Sequence, residues 1–227
     1  MAELTDPDVR LLRIFNDWGN GLDGWAASLV TFLGEYGLAA TLVLMVPLLW
    51  LMVRRRPDAP QAVAMVAWAP LAAAVAYGFN QPISGLVARP RPFLDHDDIV
   101  PMLEGKGGWS FVSDHSSAAM AIAVGLLLVN RKLGLVAVAL ALFQGVLRLT
   151  LGVHYPSDVV GGIALATAVT LLLMPLAVWA LAPLLRWCGD TRGLRWIAPG
   201  PPAGADGEPG EDSAGPRRRP VEKGLAA

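Results

Sequence analysis

Charge is the scarcest property of this chain. Of its 227 residues, 18 are Lys or Arg and 19 are Asp or Glu, together 16%, where a soluble domain carries about a quarter. With a mean hydropathy of +0.48, that shortage excludes an ordinary soluble domain. The net charge of −1 leaves no basic surplus of the kind that binds nucleic acid. A single cysteine, Cys188, excludes an internal disulfide. Histidine is limited to three residues, which makes the position of each informative. The N-terminus, M-A-E-L-T-D-P-D, lacks the basic n-region and early apolar core of a cleaved signal peptide, so the first transmembrane helix is expected to direct insertion.

In place of charge the chain has long apolar blocks. A helix crosses the bilayer with about 20 mostly apolar residues. Five segments fit, at 37–53, 61–80, 115–130, 133–151 and 158–183, the third of them short. Ahead of them, 7–17 and 22–35 read as short amphipathic helices lying at the interface, with a sixth span if the second crosses. The expected fold is all-α, a polytopic membrane helix bundle of five to six transmembrane helices. It divides into N-terminal short helices (1–36), an embedded core (37–185) and a Pro- and Gly-rich tail (196–227) expected to be disordered. Arg217, Arg218 and Arg219 in that tail either touch anionic headgroups or are solvated.

Basic residues in short loops set orientation. Arg54–Arg56, Arg131–Lys132 and the group Arg186, Arg192 and Arg195 all fall on one side, which is therefore expected to be cytoplasmic. Arg89, Arg91, Lys106 and Arg148 lie in or beside the opposite, extracytoplasmic loops. They break the rule and need another reason to be there.

Three polar clusters converge on that outer side: Asn80–Phe93, Trp109–Ser117 and Leu147–Asp158. Their residue types suit phosphoryl transfer. Arginines present forked donors to phosphate oxygens. Ser113 and the amides after it open a helix, where free N–H groups hold anions. Pro156 suits a first helical turn, which places Asp158 four residues after His154, facing back to hold its Nδ1–H and free Nε2 for attack. His115 can protonate the departing oxygen, while Arg91, Arg148 and Ser113 stabilise the transferring group. These stretches offer no carboxylate cluster for Mg²⁺, so chemistry without metal or cofactor is expected. Taken singly, Arg89 also reads as an interfacial anchor, Asp158 as a helix-dipole partner, and Arg-Pro-Arg-Pro as a stiff turn. The acidic run Asp95–Asp98 around His96 reads as solvated loop, with metal binding as a second use.

These residues resemble the type 2 phosphatidic acid phosphatase family, whose pattern is K-x6-R-P, P-S-G-H and S-R-x5-H-x3-D. Arg148, His154 and Asp158 match the third part, with Leu147 for Ser; Ser113 and His115 match the second, with Val112 for Pro and Asp114 for Gly. Arg91-Pro92 matches the first, but Ser84 stands at the lysine position. The resemblance implies a phosphohistidine on His154, oriented by Asp158, with His115 as general acid and Arg91, Ser113 and Arg148 gripping phosphate. Arg89 is the candidate for the missing charge. Ser-Asp-His, Asn80-Gln81 before Arg-Pro-Phe, and the stretches F-N-D-W-G-N-G-L-D and F-L-G-E-Y resemble the branch that dephosphorylates undecaprenyl diphosphate. The implied partner is a lipid in the plasma membrane. Phosphatidate, phosphatidylglycerol phosphate or another prenyl-lipid phosphate remains an alternative substrate, and the absent lysine leaves open a silent lipid-binding relative.

Overall fold

A computed structural model describes residues 6–198. Among these residues it contains helices and no strand. The order is α1 (Pro7–Asn20), α2 (Gly24–Phe32), a π-helical turn (Leu33–Gly37), α3 (Leu38–Val53), α4 (Ala59–Val87), α5 (Pro92–Asp95), α6 (Asp114–Val129), α7 (Arg131–Thr150) and α8 (Pro156–Asp190).

Local chemistry sets many of these boundaries. Asp6 caps α1 by accepting the Asp8 amide, with Pro7 at the first helical position. Ser113 caps α6. Asn130 alone joins α6 to α7, its side chain accepting the Leu133 amide at 3.1 Å. At the start of α8 the Asp158 carboxylate accepts the Tyr155 amide at 2.8 Å. Pro70 and Pro82 in α4, and Pro175 and Pro183 in α8, do not break their helices. In a membrane bundle, neighbouring helices and local adjustment compensate the freed backbone groups. Both helices therefore run longer than their apolar runs predict.

Residues 22–35 do not form the separate interfacial helix expected from the sequence. The backbone stays helical from α2 through the π turn into α3, giving one apolar helix, Gly24–Val53. No capping residue stops it, and its one charged side chain, Glu35, is paired inside the protein. Membrane-crossing helices are thus α2–α3, α4, α7 and α8, with the shorter apolar α6 among them.

Helix α6 is the centre of the bundle, packed against α3, α4, α7 and α8. Small residues make this possible, as in other membrane bundles. A Cβ on Gly125 would stand 2.6 Å from the Ala69 Cβ, so α4 and α6 touch almost backbone to backbone. The buried Trp68 indole donates to the Thr170 carbonyl at 2.9 Å, tying α4 to α8. Leu44, Leu71, Phe143, Leu172 and Trp179 point outward, as a lipid-facing surface requires. Helix α1 packs through Val9 and Leu12 on Ile99, Leu149, Tyr155 and Val159.

The expected tail boundary at 196 moves. Trp196 packs edge-on against Trp50 at 5.7 Å, and the Trp50 indole donates to the Ile197 carbonyl. The remainder of the expected tail, with Arg217–Arg219, lies outside the described residues.

Gly125→Val is expected to destabilise the bundle by about 2 kcal/mol through overpacking. Gly78→Ala, where no atom lies within 4 Å of the new Cβ, is expected to be neutral or stabilising by up to about 1 kcal/mol. Thermal unfolding in detergent of the two variants beside the parent checks the opposite signs.

Candidate active site

The three polar clusters meet at one end of the bundle, where α4 ends, α6 begins, α7 ends and α8 begins. The turn after α7 presents His154. Gly152 adopts φ +71°, and a Cβ there would meet the Asn16 amide at 2.7 Å. Asn16 is buried and bonds the Thr150 carbonyl and both backbone groups of Val100. Arg91 Nη1 donates to the Val153 carbonyl at 3.0 Å. The histidine is therefore fixed from both sides.

The Nδ1 of His154 lies 2.8 Å from the Ser110 carbonyl oxygen. A carbonyl only accepts, so Nδ1 carries the proton and Nε2 keeps its lone pair. Burial pushes the imidazole below its ordinary value of 6.5; Arg148 and Arg91 act in the same sense and Asp158 opposes them. The lowered value favours the neutral ring, and the Ser110 contact then favours the tautomer protonated at Nδ1, with both arginines acting on it electrostatically.

Asp158 does not hold Nδ1–H directly, as its spacing suggests. Its Oδ2 is 3.8 Å from Nδ1. That oxygen accepts the Ser110 hydroxyl at 2.5 Å and the Tyr155 amide at 2.8 Å. A carboxylate in a first helical turn is drawn to the free amides there, and the Ser110 carbonyl occupies the place beside the imidazole. Asp158 braces the residue that braces His154.

Arg89, the sequence candidate for a phosphate contact, is engaged elsewhere. It donates to Asp158 at 3.0 Å, to the Ser157 hydroxyl at 2.6 Å and to Asp8 at 2.8 Å. It also stacks 3.6 Å above the Tyr155 ring. Asp8 in turn accepts the Ser157 amide and hydroxyl. The arginine is the counterion of a buried carboxylate, locked by the first helix of the chain.

Arg148 is 1% exposed. Its Nη1 donates to Glu35 at 2.9 Å and to the Gly34 carbonyl at 3.2 Å, both on the π turn. The other Glu35 oxygen is paired with Lys106, and His115 Nε2 stands 4.0 Å from the oxygen that Arg148 holds. Arg148 Nε is buried without a hydrogen-bond partner. Arg91 Nε donates to Gly107, next to Lys106 in the loop, at 2.9 Å.

The turn before Ser113 is shaped by Asn80. This buried amide donates to the Val112 carbonyl and accepts the Val112 amide, and it also donates to Asp114. The two departures read in the sequence, Asn80 and Asp114, are therefore one interaction. It fixes Val112 where proline stands in the family pattern. The Ser113 hydroxyl turns into α6, accepting from Ser116 at 3.1 Å. His115 opens onto a cavity of about 260 Å³ with Leu42, Val43, Tyr77 and Ile122 in its walls.

The structure thus gathers His154, Asp158, Arg91, Arg148 and His115 at one end of the bundle, with Ser113 at the cap of α6 and Arg89 behind Asp158. Ser110, Glu35 and Asp8 were missed. Glu35 had a signal, being the one carboxylate in the apolar run 24–53. Lys106 also had one, since it breaks the charge rule. Ser110 had none, because its carbonyl is backbone. Of the acidic run, Asp98 is not free in solvent: it pairs with Arg13 at 2.5 Å and is held below the usual carboxylate range by it. His96 meets the Tyr155 ring edge-on. Among the described residues, no group of three or more His, Cys, Asp and Glu is placed to hold a metal ion.

Residues 65–181 match the PAP2 superfamily. The chain is 30% identical over 145 residues to the undecaprenyl-diphosphatase BcrC of Bacillus subtilis, across 64% of this chain and 72% of that one. It is 40% identical over 96 residues to a decaprenylphosphoryl-5-phosphoribose phosphatase of Mycobacterium tuberculosis, across 42% of this chain and 51% of that one. Among solved structures, a transmembrane PAP2-type phosphatidylglycerolphosphate phosphatase from Bacillus subtilis aligns with a TM-score of 0.54 at 20% identity. The alignment covers 77% of this chain and 88% of that one, a likeness of fold.

Nitrogen NMR of histidine-labelled protein in detergent is expected to find one imidazole protonated at Nδ1 and uncharged at pH 6.5. Its signal should vanish in His154→Gln. An Nε2–H tautomer would contradict the Ser110 contact, and a half-charged ring at that pH would contradict the lowering by burial.

Proposed function

The chain belongs to the PAP2 superfamily, and from that premise we propose that it hydrolyses undecaprenyl diphosphate to undecaprenyl phosphate and inorganic phosphate. In this reading His154 Nε2 attacks the terminal phosphorus. The N–P bond forms as the bridging P–O bond breaks, and His115 gives its proton to the departing undecaprenyl phosphate. Water then attacks the phosphohistidine, with His115 taking a proton, and releases phosphate. Arg91, Arg148 and the N-terminus of α6 at Ser113 hold the equatorial oxygens. The orphaned Nε of Arg148 is a donor awaiting such an oxygen. Guanidinium groups carry the charge that metal carries elsewhere, so a chelator is expected to leave the rate unchanged.

The observation that carries the proposal is the 2.8 Å contact between His154 Nδ1 and the Ser110 carbonyl, because it leaves Nε2 unprotonated. The lipid class is supported by the cavity beside His115. Its wall residues Val43 and Tyr77 are exposed on the lipid-facing surface, so a prenyl chain can enter sideways while its phosphates meet the arginines. Two relatives named for polyprenyl substrates favour prenyl over glycerolipid. The excess of arginine at the opposite helix ends supports a site on the extracytoplasmic face of the plasma membrane.

Purified protein in detergent is expected to release phosphate from undecaprenyl diphosphate faster than from phosphatidate or phosphatidylglycerol phosphate. His154→Ala should lose at least about 10³-fold in kcat/KM, as removal of a covalent nucleophile does. A preference for the glycerolipids would move the assignment to a sister phosphatase, and an active His154→Ala would remove the nucleophile.

The acid limb of kcat/KM reports the free enzyme. Since burial lowers the His154 value, the neutral form persists as pH falls. Activity should be lost only as pH drops through that lowered value, below 6.5. A pH–rate profile with its acid limb above 6.5 would assign that limb to another group.

A further inference from the structure

One carboxylate, Glu35, draws three cationic or protonatable side chains to a single point. Arg148 holds one of its oxygens and Lys106 the other, with His115 4.0 Å away. The chain has therefore built a slot for an anion and filled it from within. A second contact fixes the far side of the slot. Arg91, which bonds the Val153 carbonyl beside His154, also bonds the carbonyl of Gly107, the residue after Lys106. The lysine is 24% exposed and sits in the loop stretch E-G-K-G-G, where Gly105 and Gly108 adopt positive φ. Glycine takes such conformations freely, and the carbonyl held by Arg91 lies between the two, on Gly107.

We infer that Lys106 is a further substrate-binding residue, which with Arg148 Nη1 takes the phosphate that is not transferred, while Arg148 Nε stays with the transferred one, and that Glu35 is the internal anion holding this slot until a diphosphate enters. The inference rests on the phosphatase reading above. Its logic is the order of groups along the reaction axis. The transferred phosphorus must face His154 Nε2. The leaving oxygen must face His115. For a diphosphate, the second phosphate lies just beyond that oxygen, on the His115 side. That is where Glu35 now stands, between Lys106 and Arg148. A phosphate placed there meets the same two cations with more charge than one carboxylate brings. A monophosphate ester brings no charge to this position and leaves Glu35 undisturbed. The slot therefore selects for a diphosphate over a monophosphate.

The test compares the parent with Lys106→Ala and Lys106→Arg in detergent. It measures kcat/KM for undecaprenyl diphosphate and the inhibition constant of orthovanadate, which mimics only the transferring phosphoryl group. Loss of one charge-assisted contact is expected to lower kcat/KM for the diphosphate by ~10-fold or more. Vanadate inhibition should stay within about twofold of the parent, and Lys106→Arg should restore most of the rate. An unchanged kcat/KM in Lys106→Ala overturns the inference. So does a matching loss of vanadate affinity or complete inactivation, since either puts Lys106 on the transferred group. A loss that arginine does not rescue assigns the residue to loop packing and overturns it too. Failure of the underlying reading looks different: the parent would not cleave the diphosphate, vanadate would not inhibit it, or His154→Ala would remain active.

Discussion

The organising constraint of this structure is a guanidinium that has no access to water. Arg148 emerges from the last turn of α7 into the middle of the bundle and is 1% exposed. An uncompensated buried charge costs several kcal/mol, so the fold must deliver an anion to it. Glu35 is that anion, and it comes from the first crossing helix. The demand explains why the helix does not stop where its polar residues suggest. The π turn at Leu33–Gly37 widens the helix at the contact, a device that recurs at functional sites. Gly34 lets it approach: a Cβ there would stand 2.7 Å from Leu151 Cδ1. With the side chain gone, the Gly34 carbonyl can accept from Gln144 at 2.6 Å as well as from Arg148.

A second chain of polar contacts runs on the other side of His154. Asp8, Arg89, Asp158, Ser110 and His154 follow one another by hydrogen bonds. Asp8 and Arg89 at the start of the series are partly exposed, and Asp158 in its middle is fully buried. Each buried polar group meets a partner, which is the condition for such a network to stabilise rather than cost. The arrangement divides the arginines between two roles. Arg89 neutralises the carboxylate that, through Ser110, braces His154. The others are engaged apart from it: Arg148 is paired with Glu35, and Arg91 bonds the Val153 and Gly107 carbonyls. Helix α1 serves the bracing of His154. It supplies Asp8, and through Asn16 it also holds the turn that carries His154.

The sequence made the helix bundle and the grouping of Arg148, His154 and Asp158 legible because both depend on short-range pattern. Apolar runs longer than a bilayer is thick read as spans, and Arg148, His154 and Asp158 lie within eleven residues. What it hid depends on long-range pairing. Glu35 and Lys106 are 71 residues apart and Asp8 and Ser157 are 149 apart, so no spacing rule links them. The role of Asp158 was misread for a related reason. Four residues is the right reach for a direct bond to His154, but the Ser110 carbonyl, 44 residues upstream, competes for the same proton. Side-chain periodicity carries no trace of a backbone acceptor. Asn80 and Asp114 were visible as departures from a pattern, and only their contact reveals that they compensate each other.

Helix lengths place the chemistry at a depth. Helix α6 has 16 residues, about 24 Å at 1.5 Å per residue, short of the ~30 Å hydrocarbon core. Asn80 on α4 is level with its start, since it bonds Val112 and Asp114. Helix α4 then continues to Val87, about 10 Å further. Leu86 and Val87 on that extension remain exposed and apolar, as they would be against lipid. The N-terminus of α6 therefore opens below the rim of its neighbours, still flanked by hydrocarbon. Irregular backbone is tolerated at such depth only where protein covers it, and the loop from His96 to Ser113, pinned by Arg13, Arg89, Arg91 and Asn16, supplies that cover. The short central helix thus sets its own N-terminus, with Ser113 and His115, below the end of α4.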